Sequence, residues 1–214
     1  MPVPQPSPCQ PLPALDAIAA GVLLVCGLVF LPGAGQSPFW DLSGIVAVPV
    51  WLACLGMLVL RHSARPLFRA KLAALALAGL APFAAWSFRY GGNLFLVVNG
   101  TLATFAAIWF AYEIVELVVA EARHLGNPDL LRAGRNGLFL LTYFLLIPVA
   151  ALHVSFALSI LADSGAILED LRDSWHLVPA PLRWIPLLPA ANVGRLAWLL
   201  RATLAANLSE KEPT

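Results

Sequence analysis

Five long apolar runs constrain this chain more than any other feature of its sequence. They cover Leu12–Leu31, Ser43–Leu60, Ala70–Phe88, Leu94–Ala120 and Leu138–Ala162. Because about 20 apolar residues in a helix span the ~30 Å hydrocarbon core of a bilayer, each run is long enough to cross a membrane. Little chain remains for a soluble domain. The sequence therefore predicts an all-α integral membrane protein, an antiparallel bundle of five to six transmembrane helices.

Composition agrees with this prediction and narrows the possible partners. Hydrophobic residues make up 60% of the 214 residues and charged residues 12%, which would leave a soluble protein with more apolar surface than it could bury. The formal net charge of +1 is too small to indicate nucleic acid as a partner. The predicted partners are other integral membrane proteins, in a hetero-complex or homo-oligomer, and membrane lipids.

The number of Lys and Arg residues alternates between high and low from one connection between the runs to the next. One set of connections contains seven cationic residues, namely Arg61, Arg65, Arg69, Lys71, Arg123, Arg132 and Arg135. The other set contains three, namely Arg89, Arg172 and Arg183. Short cytoplasmic loops of membrane proteins are enriched in Lys and Arg. We therefore expect a plasma membrane protein, in a bacterium an inner membrane protein, with a cytoplasmic N-terminus and the Asp163–Arg183 connection outside.

The chain divides into a transmembrane domain, 12–208, and two short tails. The N-terminal tail, 1–11, is rich in proline and is expected to be extended, and the C-terminal tail, 209–214, is polar. The last apolar segment, Trp184–Leu208, is interrupted near its start by Pro186 and Pro189. It could cross the membrane or lie at its surface, and its length favours crossing.

The fourth run contains the residues best suited to chemistry. It continues to His124 as a predicted helix of about 31 residues, which would be about 46 Å long and project into the cytoplasm. Glu113 and Glu116 lie three residues apart on one face of its inner half. An ionisable group in a bilayer is a candidate functional site, here a proton or cation relay that could include His153. The alternative, which we favour, is that both carboxylates pair with Arg61, Arg65 or Arg69 at the membrane boundary.

Metal or redox chemistry has weaker support. Glu121 and His124 have the spacing of a Glu-x-x-His metal pair, and so do the acid and histidine of Asp173–His176. The predicted topology separates the two pairs by a bilayer, so neither has enough ligands. The chain has no nucleophile elbow, nucleotide-binding loop or HExxH motif. No metal and no cofactor is predicted, and an enzyme is less expected than a non-enzyme.

Three functions remain, in order of preference. The first is a non-catalytic integral membrane subunit or scaffold of a larger assembly, because the chain is nearly all apolar runs. It would pack through small-residue helix faces, most clearly the alanines of the third run, and dock a cytoplasmic partner or lipid head groups. The docking residues would be Arg61, Arg65, Arg69, Arg123, Arg132 and Arg135. The second is a small proton- or cation-coupled transporter or channel that uses Glu113, Glu116 and His153, with Asn99 and Thr104 along the path. The third is a membrane redox or lipid-modifying enzyme.

Overall fold

A computed structural model describes residues 11–29, 43–61, 63, 65–89, 94–161, 185 and 187–209. Within these residues every regular element is a helix, so the predicted all-α class is confirmed. The helices are α1 (Pro11–Val29), α2 (Ser43–Val59), α3 (Phe68–Arg89), α4 (Leu94–His124), α5 (Pro128–Leu141), α6 (Ile147–Leu161) and α7 (Leu187–Ser209). A π-helical turn, Thr142–Leu146, joins α5 to α6 without a break. The proline-rich tail through residue 10, the connection 163–183 and the polar tail from residue 210 lie outside the described residues.

Neighbouring helices in the sequence are neighbours in space. α1 packs on α2, α2 on α3, α3 on α4 and α4 on α5, while α7 returns to pack on α1, α4 and α5. Close approaches show that α1 and α2 are antiparallel, since Gly21 lies opposite Ala53 and Gly56 lies opposite Ala14. The last helix also runs antiparallel to α1, because Arg201 near its end pairs with Asp16 near the start of α1.

Two stretches of helix are long and apolar enough to cross a membrane, judged by length and composition over the described residues. They are Val98–His124 and Pro128–Val154, and shorter apolar helices cover Pro11–Gly27 and Ala47–Val59. In the most apolar part of the first stretch 56% of the residues are buried, against 11% in the second. The second stretch is therefore an apolar helix that the rest of the described chain leaves largely uncovered.

Small residues allow the helices to approach closely. A Cβ added at Gly56 would lie 2.5 Å from the carbonyl oxygen of Ala14, and one added at Gly21 would lie 2.5 Å from that of Pro49. The third run behaves as its alanines predict, with buried alanines at 70, 73, 74 and 81. Without a hydrophobic driving force between helices in lipid, such backbone proximity is the usual source of packing energy.

Large apolar side chains also cover the outside of the bundle. Every helix has one or more of them exposed. Examples, in order from α1 to α7, are Leu24, Leu55, Leu75, Leu102, Phe139, Val154 and Trp198. Among the residues that the structure describes, exposed apolar side chains therefore occur on every helix.

Two helices begin at a proline, and the second of them begins well before its predicted start. α1 begins at Pro11 and includes Pro13 in its first turn, where the missing N–H groups have no intrahelical acceptor to lose. α5 begins at Pro128, ten residues before the fifth apolar run. Asn127 caps it by accepting hydrogen bonds from the backbone N–H groups of Asp129 and Leu130. Arg132 and Arg135 therefore lie on a helix and not in a connection.

The predictions for the fourth run and for the last apolar segment agree more closely with the structure. α4 spans Leu94–His124, which confirms the predicted 31-residue helix. The last segment forms one helix, α7, that begins after Pro186 and accommodates Pro189 in its first turn. Its buried face, which includes Val193, Gly194 and Leu196, packs within the bundle.

Candidate functional site

A buried carboxylate, that of Glu113, is the centre of the most polar cluster in the described part of the chain. Its side chain is 3% exposed, and three donors converge on it. Nη2 of Arg65 lies 2.7 Å from Oε2, and Nε of Arg69 lies 3.2 Å from Oε1. Nε1 of Trp109 donates a hydrogen bond of 3.2 Å to the same Oε1. The arginine pairing that the sequence offered as the alternative to a relay is thus present.

The antiparallel packing of α3 on α4 assembles this cluster. Trp109 and Glu113 are four residues apart on α4 and share a face. Arg69 lies in the first turn of α3, and Arg65 lies just before it, in a segment where its backbone N–H donates to Oγ of Ser63 at 3.2 Å. The start of α3 is therefore level with Glu113 in the C-terminal half of α4.

Arg65 joins the second carboxylate to the cluster. Nη1 of Arg65 lies 3.8 Å from Oε2 of Glu116, whose side chain is 47% exposed. Over the described residues, Nη1 is buried and has no hydrogen-bond partner. A buried N–H without an acceptor is costly, so this atom could accommodate a further acceptor.

A second polar contact joins α4 to the π-helical turn. The hydroxyl groups of Tyr112 and Thr142 are hydrogen-bonded to each other, and Oγ1 of Thr142 also donates to the carbonyl of Leu138 at 2.8 Å. Pro148 follows the turn closely. Proline has no N–H and clashes with the carbonyl four residues earlier, and a π turn is one way in which a helix accommodates that clash.

A cavity of about 560 Å³ opens beside this cluster. Its walls are charged on one side and apolar on the other. The charged side consists of Arg65, Arg69, Glu113 and Glu116, with Trp109 and Tyr112 next to them, and the apolar side of Phe105, Ile108 and Leu146. The volume lies within the ~300–1,000 Å³ typical of small-molecule pockets.

A smaller cavity of about 350 Å³ lies at the end of the bundle where α1 begins and α4 ends. Glu121 and His124, the predicted Glu-x-x-His pair, both line it, together with apolar residues of α1 and α7 and with Leu60, which follows α2. Within the described ranges, no three side chains of His, Cys, Asp or Glu are grouped so that they could hold a metal ion.

The other predicted relay residues lie apart from Glu113. His153 is on α6, where its Nδ1 is 2.7 Å from the carbonyl oxygen of Val149 and its ring is 5.2 Å from that of Phe105. Phe105 lines the large cavity and His153 is not in its lining, so the ring contact with Phe105 connects His153 to that cavity. Asn99 and Thr104 donate hydrogen bonds to carbonyl groups of their own helix, at 2.8 Å and 2.9 Å.

The six predicted docking arginines fall into two groups. Arg65 and Arg69 are engaged by Glu113, whereas Arg61, Arg123, Arg132 and Arg135 are exposed. Arg61 follows α2, Arg123 lies in the last turn of α4, and Arg132 and Arg135 lie on α5. The antiparallel packing of these helices brings the four arginines toward one end of the bundle.

Sequence reasoning missed Trp109, Tyr112 and Thr142. The spacing of Trp109 and Glu113 was a usable signal, since residues four apart on a helix are neighbours. Thr142 carried no comparable signal, because its contact with Tyr112 depends on how α5 packs on α4.

Comparison with known proteins finds no matching family model, no matching curated protein and no matching solved structure.

Proposed function

We propose that this chain is a polytopic plasma membrane protein, in a bacterium an inner membrane protein, with five to six spans and a cytoplasmic N-terminus. The distribution of side chains supports this proposal best. Large apolar groups cover the outside of every helix, while the carboxylate of Glu113 is buried and ion-paired inside. A soluble monomer rarely exposes apolar surface on all sides, whereas a bilayer accepts it.

The lengths of α3 and α4 between the ion-paired cluster of Glu113 and the far ends of the two helices agree with this topology. From Leu94 to Glu113, α4 rises about 29 Å, and from Arg69 to Arg89, α3 rises about 30 Å, at 1.5 Å per residue. Both values match a hydrocarbon core of ~30 Å. The cluster then lies at the cytoplasmic boundary, and the last turns of α4 extend beyond it among the head groups.

Site-specific labelling tests the topology directly. In a background without the native cysteines, one variant carries Asp170→Cys in the connection expected outside, and another carries Arg132→Cys. A membrane-impermeant maleimide should label Asp170→Cys in intact bacterial cells and Arg132→Cys only after lysis. Labelling in the reverse pattern, or recovery of the protein in the soluble fraction, contradicts the proposal.

Within this topology we propose that the protein is a non-catalytic subunit or scaffold of a larger membrane assembly. The uncovered apolar stretch Pro128–Val154 supports this role, because it offers a long face to another membrane helix. The exposed Arg61, Arg123, Arg132 and Arg135 offer a cationic surface to a cytoplasmic partner at the same end. Arg65 and Arg69 contribute less to docking, since Glu113 already binds them.

The mass of the complex extracted from its native membrane in mild detergent tests this role. A subunit should co-purify with the same proteins in a fixed ratio, and charge reversal by Arg132→Glu with Arg135→Glu should release a cytoplasmic partner while insertion is unchanged. A lone chain or a homo-oligomer in the native extract contradicts the subunit role.

A transporter or channel is the second candidate, and the buried carboxylate beside a cavity favours it. Glu113 would carry the proton or cation, and a cycle that protonates it must first break its ion pairs with Arg65 and Arg69. Glu113→Gln should then abolish flux into liposomes while the protein still inserts. Unchanged flux excludes this mechanism.

A further inference from the structure

We infer that the large cavity beside Glu113 binds the head group of a phospholipid that contains both a phosphate and a primary ammonium group. This inference rests on the proposed membrane topology. The charge pattern of the cavity, its position along the helices and its partly apolar lining all favour such a ligand.

The arginines have donor capacity that Glu113 does not use. Nη1 of Arg65 is buried without a hydrogen-bond partner in the described structure, and the side chain of Arg69 is 71% exposed although its Nε contacts Glu113. Guanidinium groups bind phosphate through several N–H donors at once. The exposed side chain of Arg69 can therefore bind a phosphate while Glu113 keeps its ion pairs, and Arg65 adds a second positive charge to the cavity.

Glu116 provides the complementary charge. It lines the same cavity, its side chain is half exposed, and its distance from Arg65 leaves a loose ion pair, with 3.8 Å between the nearest atoms. An ammonium group can donate hydrogen bonds to this carboxylate. The charges of the two arginines and the two glutamates that line the cavity sum to zero. A zwitterionic head group therefore leaves the cavity neutral, whereas an anionic head group adds an unpaired negative charge.

The apolar wall determines how such a lipid would enter. Phe105 and Ile108 precede Glu113 on α4, so on the proposed topology they lie deeper in the bilayer than the arginines. Leu146 faces them from the π-helical turn. A lipid at this site would keep its phosphate at the boundary and its first acyl carbons against this wall, which a free phosphate cannot do.

Native mass spectrometry of the delipidated full-length protein in detergent tests the inference. The probes are phosphatidylethanolamine, phosphatidylglycerol and inorganic phosphate, each titrated separately. We expect one tightly bound lipid, with phosphatidylethanolamine preferred about tenfold over phosphatidylglycerol, the effect of one charge-assisted interaction. Equal affinity for both lipids, or binding of inorganic phosphate as tight as that of the lipid, overturns the inference.

Three variants at exposed positions separate the contacts. Glu116→Gln should weaken phosphatidylethanolamine binding about tenfold and strengthen phosphatidylglycerol binding, because the cavity then has one positive charge in excess. Arg69→Gln should weaken the binding of both lipids. Asp129→Asn, at an exposed carboxylate in the first turn of α5 that does not line the cavity, is the matched control for Glu116→Gln and should change neither. If Glu116→Gln binds both lipids as the wild type does, or if Asp129→Asn weakens phosphatidylethanolamine binding as much as Glu116→Gln, the inference is wrong. The labelling experiment tests membrane insertion alone. A negative lipid-binding result with the expected labelling pattern therefore contradicts this inference and not the proposed topology.

Discussion

The ion pair between Glu113 and Arg65 should be the most sensitive polar contact of the fold. Glu113→Gln keeps the shape of the side chain but removes its charge, and it leaves Arg65, whose side chain is only 20% exposed, with Glu116 at 3.8 Å. Removing one partner of a buried pair costs about 3–5 kcal/mol of the free energy of unfolding. Because solvent reaches part of both arginines, we expect the lower end, about 3 kcal/mol.

The double variant Arg65→Gln with Glu113→Gln tests the pairing itself. It should be about 2 kcal/mol more stable than the sum of the two single effects predicts, since neither charge is then left alone. Arg69→Gln should cost only about 0.5 kcal/mol, because that side chain is 71% exposed. The assay is unfolding in mixed detergent micelles, followed by circular dichroism, with Arg132→Gln as control. A cost below about 1 kcal/mol for Glu113→Gln, or additive single effects, would refute the reasoning.

Three further substitutions test the packing, the π-helical turn and the helix cap by the same unfolding assay. Gly56→Ala should cost about 1–3 kcal/mol because its Cβ would meet the backbone of α1, whereas Gly79→Ala, with no atom within 4 Å of its Cβ, should be neutral or stabilising. Equal effects would contradict the close approach. Tyr112→Phe should cost about 0.5–1.5 kcal/mol through loss of the hydrogen bond to the turn, while the exposed Tyr143→Phe should change little. Asn127→Ala should cost about 0.5–2 kcal/mol through loss of the α5 cap, and an unchanged stability would show that the cap contributes nothing.

Hydropathy predicted the helices well where apolar length alone decides their limits. The start of α2 at Ser43 and the whole of α4 follow directly from it. It failed for α5, because the first turns of that helix carry Arg132 and Arg135 and so interrupt the apolar run. The local signal was the sequence of Asn127 and Pro128, a side-chain cap followed by proline at the first helical position.

The candidate site was predictable in part for a similar reason. A carboxylate within an apolar run needs a partner, and this requirement alone pointed to Glu113 and to the arginines before α3. The choice of Arg65 and Arg69 over Arg61 depends on the level at which α3 begins, which no local pattern specifies. Thr142 likewise depends on the packing of α5.

The π-helical turn connects the uncovered helix with the cavity. A π turn contains one residue more than an α turn, so the side chains that follow it are rotated by about 100° relative to an uninterrupted α-helix. Before the turn, α5 packs on α4 and α7; after it, none of the described side chains of α6 is buried, although His153 still contacts Phe105. A helix that served only to fill the bundle would gain packing energy by continuing along α4. The turn gives up that packing and places Leu146 in the lining of the cavity that Arg65 and Arg69 also line, an arrangement that benefits a ligand-binding cavity and not a packed interface.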